Sequence, residues 1–191
     1  MELKPIIAQL MPLHRTLASD DMDKALQIVG EKMPDTSNYQ IENYHPGSTV
    51  WTWKVPERYV VHEAYLATED GERILDFAEN SLYLVSYSLP VDEVLTWSEL
   101  EPHLNYNEQR PWAIPCIFKY YQRDWGFCLP KDQFDRLDRN IKYRAVIRVT
   151  FQTDPQKGFK VADAVIRPLN GPATDAGELL ISSHLCHPNQ A

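Results

Sequence analysis

The sequence has few cysteines and no long apolar run. Its three cysteines, Cys116, Cys128 and Cys186, are widely spaced and form no C-x-x-C pair. Neither a disulfide framework nor a structural zinc knuckle is therefore predicted, and we expect reduced thiols in a cytoplasmic protein. Residues 1–17 lack the pattern of a secretory signal. No stretch reaches the roughly 18 apolar residues of a membrane-spanning helix, so no membrane partner is expected.

Basic residues are also scarce. The chain of 191 residues has 19 Lys and Arg against 27 Asp and Glu, a formal net charge of -8. Because no cluster of basic residues could follow a phosphate backbone, nucleic acid is not an expected partner. Hydrophobic residues make up 43% and charged residues 24%. This composition is typical of a folded protein with one ordinary domain, or with a small domain inserted into part of another.

Apolar spacing predicts two helices at the start of the chain and strands after them. The first helix covers apolar positions from Ile6 to Leu17, and the second begins at Ser19 and ends before Pro34. Asp20, Asp21 and Asp23 are interpreted as helix-start charges rather than as a metal site. A capping box at Thr96 predicts a further short helix. Alternating patterns predict strands at 39–44, 51–55, 60–67, 73–77, 82–88, 125–128, 143–151 and 159–166. Residues 69–71, Glu-Asp-Gly, predict a hairpin turn between the third and fourth of these strands.

The five tryptophans leave two interpretations open. They could line a groove for a sugar or a peptide, or they could belong to the core or an interface. The core is the favoured interpretation, because large aromatic residues are more often buried than exposed. The tryptophans are Trp51, Trp53, Trp97, Trp112 and Trp125.

Four blocks of residues, in order along the chain, carry a family resemblance. They lie at 50–56, at 76–91, at 113–128 and at 180–188, and they include Trp125-Gly126-Phe127-Cys128 and Ser183-His184-Leu185-Cys186-His187-Pro188. The chain resembles a bacterial family of aminopeptidase-like proteins related to the co-catalytic di-zinc exopeptidases. In that family a small β-rich domain of unknown function is inserted into a zinc-peptidase scaffold.

The resemblance implies a fold and a domain organisation. The expected fold class is α/β in the mixed α+β sense, with a partial zinc-aminopeptidase-like scaffold formed by residues 1–49 and 139–191. Residues 50–138 would form the inserted β-rich domain. Since family members are longer than this chain, the resemblance implies that the chain corresponds to an amino-terminal portion or to a truncated relative.

The resemblance also implies one metal ligand. In the exopeptidases a histidine at the end of a central strand is the first zinc ligand. On that pattern residues 179–181 are the buried strand, His184 is the ligand, and His187 is a further candidate. Cys186 takes the place where many relatives have a carboxylate that orients the ligand. The general base and the other ligands would follow residue 191, so no catalytic residue is assigned and the zinc site is incomplete.

The leading hypothesis is thus a portion of a zinc-dependent aminopeptidase-like protein that is inactive as this chain alone. Its complete form would act on peptides or amino-acid conjugates. A half-built scaffold would expose apolar surface and favour self-association. The alternative is a non-catalytic binding or interaction module linked to surface polysaccharide biosynthesis, with His184 and His187 as ordinary residues. A cysteine hydrolase using Cys186 and His187 is disfavoured, because adjacent residues of a strand point to opposite sides.

Overall fold

The computed structural model of the protein describes residues 3–34, 37–167 and 177–186. Within these residues the helices are α1 (Lys4–Leu10), α2 (Asp20–Gly30), α3 (Trp97–Leu100) and α4 (Lys131–Phe134). The strands are β1 (Asn38–Tyr44), β2 (Thr49–Val50), β3 (Trp53–Lys54), β4 (Arg58–Thr68), β5 (Arg73–Asp76), β6 (Val91–Leu95), β7 (Leu104–Asn105), β8 (Phe127–Cys128), β9 (Tyr143–Gln152) and β10 (Phe159–Val165). Several small sheets and few helices confirm the mixed α+β fold class.

The chain folds into two compact units. The first combines the described residues up to Arg58 with those from Thr153 onward, and the second is formed by Tyr59–Gln152. These limits differ from the expected insert at 50–138, because β9 pairs with β6 in a sheet of the second unit. That the second unit is an insertion into an aminopeptidase scaffold stays a prediction.

Helices α1 and α2 form the predicted helical pair of the first unit. The Ser19 hydroxyl accepts a hydrogen bond from the Met22 N–H at 3.1 Å, which confirms Ser19 as the N-cap of α2. Helix α1 is shorter than predicted and ends at Leu10, before Pro12. The buried residues Leu13, Ala25 and Ile28 form a small core against which Ile6 and Leu10 of α1 pack.

A buried arginine joins distant parts of the first unit. The Arg58 side chain is 2% exposed and pairs with Asp20 and with Asp23, the latter at 2.9 Å. Lys160 on β10 pairs with Asp23 at 2.8 Å. The acidic start of α2 therefore serves as an ion-pairing site within the protein, in agreement with the interpretation of its aspartates as helix-start charges.

Strands β1 and β10 form an antiparallel sheet in the first unit. Their register runs from Asn38 opposite Val165 to Tyr44 opposite Phe159. Gly158 precedes β10 so closely against the Tyr44 carbonyl group that a Cβ atom could not be accommodated there. The two strands predicted for these segments are thus confirmed, and glycine is required where they meet.

A four-stranded sheet in the order β5–β4–β9–β6 forms the second unit. The tight turn between β4 and β5 has Gly71 at φ +94°, as the predicted hairpin requires. The Thr96 capping box at the start of α3 is also present. The largest fully buried apolar side chains of this unit are Tyr59, Leu66, Leu75, Val85, Leu100, Phe127, Leu129, Tyr143, Val146 and Ile147.

Two predictions of strands are wrong. Residues 82–88 contain part of a 3-10 helix, Ser81–Tyr83, because the Asn80 side chain accepts a hydrogen bond from the Leu82 N–H at 3.0 Å. Trp51 does not share a strand face with Trp53, because it lies in the turn between β2 and β3 at φ +55°. Among the described helices, none is long and apolar enough to cross a membrane.

We expect Arg58→Gln to lower the free energy of unfolding by about 2–3 kcal/mol, because it removes charged hydrogen bonds inside the protein. Urea denaturation measures this change. The control is Arg148→Gln, whose guanidinium pairs with Glu63 on an exposed sheet face. That variant should change the free energy of unfolding by less than about 1 kcal/mol. Equal losses in the two variants would contradict a special role for Arg58.

His14 predicts a pH dependence of stability. Burial lowers the pKa of His14 from 6.5 to about 4, and the nearby Asp21 carboxylate only partly opposes this shift. Between pH 6.5 and about pH 4 the unfolded chain binds a proton at His14 that the folded protein does not bind. The contribution of His14 to the free energy of unfolding is therefore fully present above pH 6.5 and is lost as the pH falls toward 4. The loss reaches about 3 kcal/mol.

The measurement for His14 compares two pH profiles of the free energy of unfolding. The profile of the wild-type protein includes the pH dependence due to His14 as well as that due to the carboxylates. The profile of His14→Gln lacks the part due to His14. The difference between the two profiles should therefore fall as the pH is lowered through this window. Parallel profiles would show that His14 is not held neutral in the folded protein.

Candidate functional site

The segment that carries the predicted metal ligand has no regular structure. Residues 177–186 form neither a helix nor a strand, and the His184 side chain is exposed. Leu179, Leu180 and Ile181 are 86%, 91% and 81% exposed. The predicted buried central strand is therefore wrong for this structure, because no strand among the described residues hydrogen-bonds to these three residues.

The end of this segment is nevertheless anchored in the first unit. The Leu185 side chain packs against the core of Leu13, Ala25 and Ile28. The buried Arg15 side chain donates a hydrogen bond of 2.7 Å from its Nη1 atom to the Leu185 carbonyl oxygen. Burial lowers the pKa of Arg15, and the neighbouring Cys186 opposes this effect. The residue after His184 is thus held by contacts with the helical pair.

The described residues do not by themselves form a zinc site. Across 3–34, 37–167 and 177–186, no three His, Cys, Asp or Glu side chains lie close enough together to hold a metal ion. His187 lies outside the described residues. A zinc site requires three or four ligands in a rigid arrangement, so His184 remains a predicted ligand without partners.

A second candidate region lies in the second unit, where two blocks of the family resemblance meet. The loop 106–126 joins β7 to β8 and is held against residues 85–89 by backbone hydrogen bonds. The Ser86 N–H donates to the Ile117 carbonyl oxygen at 3.0 Å, and the Lys119 N–H donates to the Ser86 carbonyl oxygen at 2.8 Å. The Leu89 N–H donates to the Asp124 carbonyl oxygen at 3.0 Å. The loop is therefore ordered although it has little regular structure.

Aromatic rings fill the junction between these two segments. Tyr87 stacks on Tyr59 with ring centroids 4.9 Å apart, and Tyr120 contacts Tyr87 edge-on at 5.9 Å. Phe118 stacks on Tyr120 at 4.9 Å with an angle of 12° between the ring planes. We call Tyr59, Tyr87, Phe118, Tyr120, Tyr121 and Phe151 the aromatic cluster.

Backbone strain marks one member of the aromatic cluster. Tyr87 is buried at φ +65°, a conformation that a bulky residue adopts only when the surrounding structure enforces it. Such strain stores about 1–3 kcal/mol and is often found at functional sites. Burial also raises the pKa of the neighbouring Tyr59, whose hydroxyl group donates to the Ser88 carbonyl oxygen at 3.2 Å. The Tyr59 hydroxyl group therefore remains neutral at physiological pH.

An ion pair lies beside the aromatic cluster. Lys119 pairs with Asp124, and the His103 ring stacks on Trp125 with centroids 3.7 Å apart. Burial tends to raise the pKa of Asp124, but hydrogen bonds from Lys119 and from the Trp125 N–H outweigh it and hold the pKa below its usual value. The ion pair stabilises the loop and neutralises the charge of Lys119.

Cys128 in this region lacks the properties of a nucleophile. Burial is the main cause that raises the pKa of Cys128 to about 12, with a contribution from Cys116. A protonated, buried thiol is inert toward substrates. All three cysteines are free of disulfide bonds.

One face of the four-stranded sheet carries a row of ion pairs. Glu63 lies between Arg73 at 2.8 Å and Arg148 at 3.1 Å, and Asp92 lies between Arg144 at 2.9 Å and Arg148 at 3.5 Å. A shallow cavity of about 390 Å³ is lined by residues of this face, including His62, Asp92 and Arg148. Each of the four strands contributes charges to this row, and these charges neutralise each other. We therefore interpret the row as the solvated outer face of the sheet rather than as a binding site.

The tryptophans do not form one groove. Trp51 is 97% exposed and Trp112 is 72% exposed, so the interpretation as core is wrong for both. Trp53, Trp97 and Trp125 are half-buried and contact separate aromatic partners. The sequence signal for the aromatic cluster was instead the tyrosine content of the resemblance blocks, which include Tyr87, Tyr120 and Tyr121.

The chain is similar to a described family and to a curated relative. Residues 52–150 match the family described as "Domain of unknown function (DUF2172)". The chain is 29% identical over 188 residues to a Clostridium acetobutylicum protein named "Putative polysaccharide biosynthesis protein with aminopeptidase-like domain". This match covers 98% of the chain and 40% of the relative.

A solved structure is similar as well. The crystal structure of a "putative peptidase" from Clostridium acetobutylicum matches 83% of this chain with a TM-score of 0.73 and 29% identity. The match covers 36% of that protein. The chain thus spans about two fifths of the length of the relatives it matches.

The anchor at Leu185 can be tested through the thiol of Cys186. We expect Arg15→Gln to increase the rate of maleimide labelling of Cys186 several-fold, because the hydrogen bond that holds the Leu185 carbonyl group is lost. Mass spectrometry of proteolytic peptides separates Cys186 from the buried Cys128, which should stay unlabelled. Arg144→Gln, on the exposed sheet face, is the control and should leave the rate unchanged. An unaltered rate in Arg15→Gln would show that Arg15 does not anchor the segment.

Proposed function

The chain belongs to the family of unknown function DUF2172, and from this premise we propose that it is a portion of a zinc-dependent aminopeptidase-like protein. The observation that carries the proposal is the structural similarity to the "putative peptidase", with a TM-score of 0.73 over 83% of the chain. The relative named for an aminopeptidase-like domain supports the same assignment. The second unit, Tyr59–Gln152, contains most of the residues that match the family.

In this proposal the first unit contributes His184 as one zinc ligand, with His187 as a further candidate. The anchor of Leu185 on the helical pair supports the proposal, because a metal ligand must be held in a fixed position. Zinc would lower the pKa of a bound water and polarise the scissile carbonyl group. The general base and the remaining ligands would come from outside these 191 residues, and the chain alone would be inactive.

The exposed apolar residues of this segment support the same proposal. Leu179, Leu180 and Ile181 form an apolar run with the composition of a buried strand, yet they are almost fully exposed. We propose that they become a strand when further parts of a longer protein pack against them, and that they otherwise favour self-association. The complete protein would act on a peptide or amino-acid conjugate in the cytoplasm, where its three free cysteines would stay reduced.

The alternative function is a non-catalytic binding or interaction module. The specific observation in its favour is the aromatic cluster, two of whose rings are exposed on a long ordered loop. The name of the Clostridium acetobutylicum relative includes polysaccharide biosynthesis, which suggests a sugar-related process for such a module. The two functions are compatible, because they involve different units of the chain.

The test uses the longest open reading frame that contains this chain. We expect the purified protein to bind zinc and to release amino acids from aminoacyl-p-nitroanilides, and His184→Ala to lose both properties. His45→Ala is the matched control, because His45 is another exposed histidine of the first unit. It should keep both the zinc content and the activity.

Two results would contradict the proposal. One is a zinc content that is the same in His184→Ala and in the unchanged protein, measured by atomic emission. The other is metal-dependent release of amino acids by the 191-residue chain alone, since this chain is proposed to lack the general base.

A further inference from the structure

The loop 106–126 of the second unit is unusually long for a segment with so little regular structure. Loops of this length in compact domains are most often disordered or functional. This loop is ordered, because Ser86, Leu89 and Val85 form backbone hydrogen bonds with residues 117–126. Ser88 adds one more bond, since its hydroxyl group accepts from the Gly126 N–H at 3.1 Å. An ordered irregular loop is a common support for binding residues.

Two rings of the aromatic cluster are exposed on this loop. Phe118 is 52% exposed although one face of its ring is stacked on Tyr120. Tyr121 is 61% exposed, and its ring meets Tyr120 at 4.4 Å with an angle of 65° between the planes. Exposed aromatic rings are energetically unfavourable in water, and they are enriched where a ligand or partner covers them. We call Phe118 and Tyr121 the exposed ring pair.

Buried rings fix the position of the exposed ring pair. Tyr120 packs on Tyr87, which in turn stacks on Tyr59. Tyr87 is held in the left-handed backbone region in spite of its bulky side chain. The exposed ring pair therefore rests on a rigid stack, and little side-chain freedom would be lost when a ligand binds.

Polar residues with hydrogen-bonding capacity follow the exposed ring pair in the sequence. Gln122 and Arg123 follow Tyr121 directly and are exposed. The Arg123 guanidinium lies over the Phe151 ring at 5.3 Å, which limits its orientations. Flat apolar surface beside amide and guanidinium groups fits a ligand that has an apolar face and a rim of hydroxyl groups, as a sugar ring has.

The charges and the backbone of the loop argue against other ligands. Lys119 is paired with Asp124, and Arg123 is the one other cation between residues 117 and 126. Because the whole chain carries -8, so few cations do not favour a phosphate backbone. A peptide that adds a strand needs unpaired backbone groups. At Phe118 the flanking Ile117 carbonyl and Lys119 N–H are both already bonded to Ser86.

We propose that the exposed ring pair is a binding site for a neutral sugar chain. Phe118 and Tyr121 stack against the C–H faces of pyranose rings, and Gln122 and Arg123 hydrogen-bond to the hydroxyl groups. This site lies in the second unit and involves none of the residues proposed for zinc binding. The outcome of a sugar-binding test is therefore independent of the zinc proposal for His184.

The test measures binding of neutral hexasaccharides to the 191-residue chain by isothermal titration calorimetry. The probes are cellohexaose, maltohexaose, mannohexaose and chitohexaose. We expect saturable binding of at least one of them, and an affinity about tenfold weaker in Phe118→Ala and in Tyr121→Ala, since each removes one stacking surface. Both side chains are exposed, so the fold should persist, and circular dichroism checks this.

Trp112→Ala is the matched control, because Trp112 is a 72% exposed aromatic residue of the same loop outside the aromatic cluster. It should leave the affinity unchanged. The proposal is overturned if none of the four hexasaccharides binds, or if Trp112→Ala weakens binding as much as Phe118→Ala. It is also overturned if Phe118→Ala abolishes binding of single-stranded oligothymidine or of an unfolded polypeptide but leaves sugar binding intact.

Discussion

The first unit depends on one buried ion-pair arrangement. Arg58 is almost fully buried, and its guanidinium pairs with Asp20 and Asp23 at the start of α2. Lys160 reaches Asp23 from β10. The chain leaves this unit after Arg58 and returns at Thr153, so the arrangement joins the segment that leaves to the segment that returns. A buried charge is costly without partners, and the start of α2 supplies both carboxylates and the positive helix end that favours them.

The same need to satisfy polar groups organises the second unit. The loop 106–126 has no strand partners along most of its length, so its backbone groups bond to residues 85–89 instead. This arrangement forces Tyr87 into a strained conformation and brings Tyr59, Tyr87 and Tyr120 into one stack. The exposed rings of the loop are a consequence of that packing. The two candidate sites thus have different supports, a helical pair for the segment of His184 and an aromatic stack for the exposed ring pair.

Local signals were reliable where one short contact decides the structure. The Ser19 cap, the Thr96 capping box and the turn at Gly71 are present as predicted, because each requires only neighbouring residues. Predictions from sequence patterns were wrong where residues far away in the chain determine the local structure. Residues 82–88 were predicted as a strand, but the Val85 and Ser86 N–H groups donate to the carbonyl oxygens of Gly126 and Ile117 in the distant loop 106–126. The apolar residues 179–181 read as a buried strand, but the described residues offer no neighbouring strand.

The candidate sites show the same division. The amino-acid chain alone was enough to predict the mixed α+β class, the family resemblance later supported by the match at residues 52–150, and His184 as the residue proposed for zinc. The folded structure was needed to show that Arg15 and the helical pair anchor Leu185 and that Tyr120 supports Phe118. The physical reason is the separation along the chain. Arg15 and Leu185 lie at opposite ends, and neither residue carries a pattern that identifies the other as its partner.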